Sequence, residues 1–243
     1  MLAPALESNQ ENSMRGFAVD AAVIIMLVIL VAILSFSNPF LRPLTTWDLQ
    51  NPDLRHPYLQ DIVPFSTLML ISILLPIVII AAVARNTRVI SAVSISFAMG
   101  ALVTLCVTDL LKLLAGRFRP DFIDRCKPIM STLLNGTLPN NDILECTGSV
   151  KLIRNGRLSW PSGHASQSFF GLVFLTFWMY ETMDAKKWKS IRLVISILPI
   201  LLAAFVAISR WQQNVHHPTD LISGTLLGGS VAYFYYFHHY NKQ

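Results

Sequence analysis

Charge is scarce in this sequence. Asp, Glu, Lys and Arg make up 14% of its 243 residues, where ordinary soluble domains carry about a quarter. Only three cysteines occur, which excludes a disulfide-dense secreted scaffold. The 19 basic residues are scattered rather than gathered in a run, so nucleic acid is not an expected partner. There is no internal repeat and no low-complexity segment. No cysteine or carboxylate set completes a metal site, so neither a metal nor another cofactor is expected.

Apolar residues are abundant, at 53%. They fall into six segments, roughly 17–36, 63–84, 89–114, 166–180, 193–208 and 221–237. A membrane-spanning helix takes about 17–25 mostly apolar residues. The first three segments qualify as they stand, and the last three with their polar flanks. The alternative is that one or two of them are buried core helices. The expected fold is all-α, a polytopic bundle of six transmembrane helices. Residues 1–16 form a short polar tail, and 17–243 a single membrane domain. The first apolar run is longer than a signal-peptide core and lacks a small-x-small cleavage site, so it is read as a retained helix. Pro39, Pro43, Pro52 and Pro57 discourage helix between the first two spans. Pro76 and Pro199 fall inside spans, where they read as tolerated kinks. Gly224 and Gly228 have the small-xxx-small spacing of helix packing.

Six spans place both termini on one side, together with Arg85, Arg88, Lys186, Lys187, Lys189 and Arg192. The positive-inside rule makes that side cytoplasmic. The opposite side holds more basic residues in total, but most lie in one long loop, which counts less. That loop carries a glycosylation sequon at Asn135, bracketed by Cys126 and Cys146. The two cysteines either form a disulfide or remain free thiols. The expected location is an integral membrane protein with this loop facing lumen or exterior. Oligomeric state is left open.

Three polar clusters interrupt the apolar pattern. In "KLLAGRFRP", Lys112 and Arg119 are seven residues apart, about two helical turns, with Pro120 expected to end the span. Two cations on one face suit an anion with several oxygens, although basic side chains also snorkel at span ends. In "PSGH", Pro161 suits a first helical turn, Ser162 and Gly163 leave backbone donors free, and His164 lies beside that anion-binding N-terminus. In "SRWQQNVHHPTD", Arg210 ends a span, Pro218 opens the next, and Asp220 lies four residues after His216, placed to hold its far nitrogen. The topology puts all three clusters at one face. Cations that bind phosphate, one histidine that attacks and one that protonates the leaving oxygen amount to metal-free phosphoryl transfer.

These stretches resemble the three signature motifs of the type 2 phosphatidic acid phosphatase superfamily, K-x6-RP, PSGH and SR-x5-H-x3-D. Every specified position is present in order over residues 112–220. The resemblance extends to the integral-membrane lipid phosphate phosphatases, with "GRFRPDFIDRC" similar to the fungal diacylglycerol pyrophosphate phosphatase group. It implies that Lys112, Arg119 and Arg210 bind phosphate, with Ser162 and Gly163 adding hydrogen bonds. It implies His216 as nucleophile, Asp220 as its orienting carboxylate and His164 as general acid, with Ser209 in support. His217 misses the motif spacing by one and is read as leading the helix. Asp109, one turn before Lys112, is read as its ion-pair partner, and Arg117 as touching a headgroup or only solvent. The implied activity is metal-independent hydrolysis of phosphatidate, lysophosphatidate or diacylglycerol pyrophosphate, with the lipid in the membrane as partner. Alternatives are a polyisoprenyl-diphosphate or sphingoid-base phosphatase, or a catalytically silent lipid-binding or transport protein.

Overall fold

The structure is a computed structural model that describes residues 3–84, 86–129, 145–184, 186–187 and 189–240, with side chains from Gly16 onward. Asn135 lies outside the described residues. Among those described, the chain is helical and contains no strand beyond an isolated bridge between Pro128 and Cys146. In chain order the helices are α1 (Ala3–Phe36), α2 (Thr46–Gln50), α3 (Phe65–Met69), α4 (Leu75–Val83) and α5 (Thr87–Ala115). They continue with α6 (Phe122–Cys126), α7 (Val150–Gly156), α8 (Gly163–Thr182), α9 (Lys189–Gln212) and α10 (Pro218–Phe234).

Four stretches among the described residues are long and apolar enough to cross a membrane: Gly16–Phe36, Phe65–Val83, Thr87–Ala115 and Lys189–Gln212. The other two apolar segments became α8 and α10. α8 forms the middle of the bundle, packed against α5, α9 and α10. It carries buried Ser166, Gln167 and Ser168 beside buried Phe170, Phe174 and Trp178. Neighbours cover it, so polar residues lower its hydropathy without facing lipid.

Between apolar helices in lipid, close packing replaces the hydrophobic effect as the main source of association. The glycines show where that packing is tightest. A Cβ at Gly228 of α10 would lie 2.1 Å from the Ser166 carbonyl of α8, and one at Gly224 2.5 Å from that of Ser162. A Cβ at Gly171 would lie 1.8 Å from the Ser72 carbonyl. Ser72 belongs to the π-helical turn Leu70–Leu74 that joins α3 to α4 just before Pro76. Proline has no N–H to give the Ser72 carbonyl four residues back, and α8 fills the space beside that carbonyl.

Some expectations about local structure are corrected. α1 begins at Ala3, so the helix runs on into the polar tail. The proline-rich segment after α1 still forms α2 and a 3-10 turn at Pro52–Leu54. The Thr45 and Asp48 side chains form a capping box that starts α2.

A polar cover sits over one end of the bundle. Leu44, Leu54, Phe118, Phe122 and Cys126 form its small core. A disulfide joins Cys126 to Cys146, with Cα atoms 4.7 Å apart. Arg154 donates hydrogen bonds to the Ser35 and Ser37 carbonyls, tying α7 to the end of α1.

Candidate active site

Lys112 lies in the last turn of α5, which ends at Ala115 rather than continuing to Pro120. Gly116 stops the helix in the left-handed region, with φ +53°, and its N–H donates to the Lys112 carbonyl. Only glycine fits there: a Cβ would lie 2.3 Å from the Phe40 carbonyl oxygen. Lys112 and Arg119 therefore do not share a helix face. Arg119 comes from the following loop, held where its N–H donates to the Gly156 carbonyl. Both side chains nevertheless line one cavity. The missed signal was the glycine four residues after Lys112, a C-cap residue within the first motif.

α8 opens at Gly163, later than expected. Pro161 precedes the helix, and Ser162 is its N-cap, accepting from the Ala165 N–H at 3.4 Å. The Ser162 N–H donates to the Asp220 carbonyl at 3.0 Å, joining the starts of α8 and α10. Gly163 lets the Lys112 ammonium approach this helix N-terminus, since a Cβ would lie 3.0 Å from Lys112 Nζ. Cation and helix N-terminus thus present positive charge to the same space. His164 Nε2 is 3.0 Å from the Val63 carbonyl. A carbonyl only accepts, so Nε2 carries the proton.

The third stretch folds as a tight corner. Arg210 lies in the last turn of α9, Asn214 turns the chain with φ +55°, and Pro218 opens α10 with His217 as N-cap. Asp220 is fully buried and collects several donors. Ser159 Oγ and the His217 N–H reach its Oδ2 at 2.6 and 2.9 Å, and Arg117 reaches its Oδ1 at 2.7 Å. His216 Nδ1 is 3.5 Å from Oδ2, an electrostatic contact rather than an aligned hydrogen bond. Burial pushes His216 down to about 3, opposed by Asp220 and helped by the Arg119 and Lys112 charges. Its imidazole is therefore neutral near pH 7. Burial also pushes Arg119 down to about 10, still fully charged at that pH.

Arg210 is fully buried, and each of its three nitrogens makes one hydrogen bond, three of its five N–H donors. Its Nη1 pairs with Asp61 at 2.8 Å, its Nη2 donates to Gln213 and its Nε to Ser209 Oγ at 3.3 Å. Ser209 in turn donates to the Val206 carbonyl. Arg119 Nε, by contrast, is buried without a protein partner. Asp109 lines the cavity with Lys112, but no ion pair joins them within 4.0 Å.

Lys112, Arg119, Gly163, His164, Arg210 and His216 all border one cavity of about 640 Å³. Ser162, Ser209 and Asp220 stand behind this lining. Sequence reasoning missed Ser159 and Asp61 and left Arg117 undecided. The first two lie outside the recognisable motifs, and only the tertiary fold carries Arg117 to Asp220. His217 leads α10 as expected, and its Nε2–H meets the Phe118 carbonyl at 3.1 Å. Among the described residues no three His, Cys, Asp or Glu side chains gather as a metal-holding group.

The likeness to known proteins covers most of the chain. Lipid phosphate phosphatase 2 of Arabidopsis thaliana is 31% identical over 222 residues, 89% of this chain and 75% of that protein. Diacylglycerol pyrophosphate phosphatase 1 of Saccharomyces cerevisiae is 30% identical over 227 residues, 89% of this chain and 77% of that protein. Phospholipid phosphatase 1 of Rattus norvegicus is 26% identical over 224 residues, 83% of this chain and 76% of that protein. No solved structure gives a significant match. The PAP2 superfamily model matches residues 91–243, which hold all three polar clusters, and the chain belongs to that superfamily.

Proposed function

We propose that this protein is a metal-independent lipid phosphate phosphatase acting on phosphatidate, lysophosphatidate or diacylglycerol pyrophosphate within a membrane. The carrying observation is the cavity that gathers Lys112, Arg119, Arg210, His164 and His216 at one end of an apolar bundle. The three cations and the α8 N-terminus hold the phosphoryl oxygens and offset charge in the transition state. His216, neutral and with Nδ1 toward Asp220, attacks phosphorus through Nε2. The bond from phosphorus to the leaving oxygen breaks, and His164, protonated when the phosphate dianion sits beside it, gives that oxygen its proton. Asp220 stabilises the positive charge that develops on His216. Water then attacks the phosphohistidine, with His164 accepting its proton, and releases inorganic phosphate.

In this reading, residues 17–243 form the membrane domain, and α8 and α10 complete six spans. Both termini are cytoplasmic, and the site faces lumen or exterior. The Cys126–Cys146 disulfide on the cover supports that side, because disulfides persist in oxidising compartments. The test is phosphate release from short-chain phosphatidate in detergent. Activity that survives EDTA and disappears in His216→Ala is expected. Full activity in His216→Ala would remove the nucleophile assignment, and loss in EDTA would remove metal independence.

A further inference from the structure

Three cavity-lining residues have buried side-chain atoms without a protein hydrogen-bond partner. Arg119 Nε and His216 Nδ1 belong to the phosphate cup. The remaining atoms are both ends of one amide, Oε1 and Nε2 of Gln167. Gln167 is 1% exposed. It follows His164 by three residues on α8, so the two share a face about 4.5 Å apart along the axis. Nearby hydroxyls are engaged: Thr108 and Ser166 bond each other at 2.8 Å, and Ser168 donates to the Ala165 carbonyl. Further along, the same cavity is bordered by Val31, Phe65, Leu68 and Leu105. Gln167 therefore stands between the phosphate cup and an apolar wall.

A buried amide with neither atom bonded bears its full desolvation penalty with nothing to offset it. Such a group in a cavity wall matches a ligand group that completes it. We propose that Gln167 binds the first polar group beyond the phosphoester, with Nε2 donating to a glycerol ester carbonyl. Oε1 would accept from the free hydroxyl of a lysolipid. This rests on the lipid phosphatase reading. Gln167 makes no contact with the reacting phosphorus and determines specificity for the leaving alcohol.

The test compares dioctanoyl phosphatidate with dodecyl phosphate, which has a chain but no ester, in detergent micelles. In Gln167→Leu and the near-isosteric Gln167→Met, kcat/KM for phosphatidate should fall about tenfold. Dodecyl phosphate turnover should stay within about twofold of the parent, which also reports that the variants fold. Equal losses on both substrates, or no loss on either, would overturn the assignment. A parent protein idle on both substrates would instead overturn the phosphatase reading, and the assignment with it.

Discussion

α1 turns Ile25, Ile29 and Ile33 outward, each more than half exposed, and among its described residues only Leu27 is buried. α8 hides Phe170, Phe174 and Trp178 together with three polar residues. Hydropathy ranks α1 as the better membrane span, and α8 falls outside the apolar set altogether. The difference reflects what each helix faces. A lipid-facing helix needs apolar side chains and little else. A central helix can hold serine, glutamine and histidine because its neighbours and the cavity supply their surroundings.

Substitutions at the site should have the largest effects. Asp220→Asn keeps the shape but removes the charge that balances His216, so kcat should fall by at least about 100-fold in a phosphate-release assay. Ile33→Ala on the outer face of α1 should leave kcat unchanged in the same assay. Comparable losses in the two would end the contrast between the helices.

The pH profile probes the buried site alone. With His216 held at about 3, chiefly by burial, the neutral form that the proposed attack needs persists from pH 7 down to about 4. After correction for substrate ionisation, His216 should add no acid limb to kcat/KM in that window, and any slope there should follow the protonation of His164 and vanish in His164→Ala. A fall towards acid pH centred near 6.5, the ordinary histidine value, would show that burial does not keep the His216 ring neutral.

Adjacent glycines sharpen the packing side. A Cβ at Gly228 meets the α8 backbone, while one at Gly229 meets nothing within 4 Å. Gly228→Ala should destabilise the detergent-solubilised protein by about 1–3 kcal/mol, read as a lower melting temperature. Gly229→Ala should be neutral within about 0.5 kcal/mol. Controls aside, the smallest effect is expected at Asp61, whose side chain is 49% exposed and pairs with Arg210. If Arg210 binds phosphate as proposed, this carboxylate competes with it for the same guanidinium. Asp61→Asn should therefore strengthen inhibition by inorganic phosphate about twofold to fivefold. Weaker inhibition would mean that Asp61 positions Arg210 for phosphate instead.

Six apolar segments in the sequence correspond to helices in the structure, because lipid-facing and core helices both need long apolar runs. The motif residues His164, Arg210 and His216 were legible for another reason: their spacing survives in one dimension. What the sequence hid was tertiary. Arg119 faces Lys112 through a loop turned by Gly116, not along a helix. Arg117 crosses 103 positions to reach Asp220, and Ser159 crosses 61. Nothing in local pattern signals such partners.

The segment between α1 and α3 lies wholly outside the matched residues 91–243. Yet Asp61 holds Arg210, the Val63 carbonyl meets His164, the Gln60 carbonyl meets Gln213, and the His56 N–H donates to the Pro120 carbonyl. A chain cut to begin at residue 91 would keep every signature residue and lose the wall that holds three of them in place. The smallest catalytic unit of this protein is therefore longer than its recognisable motif region, and an engineered minimal enzyme should keep residues 37–64.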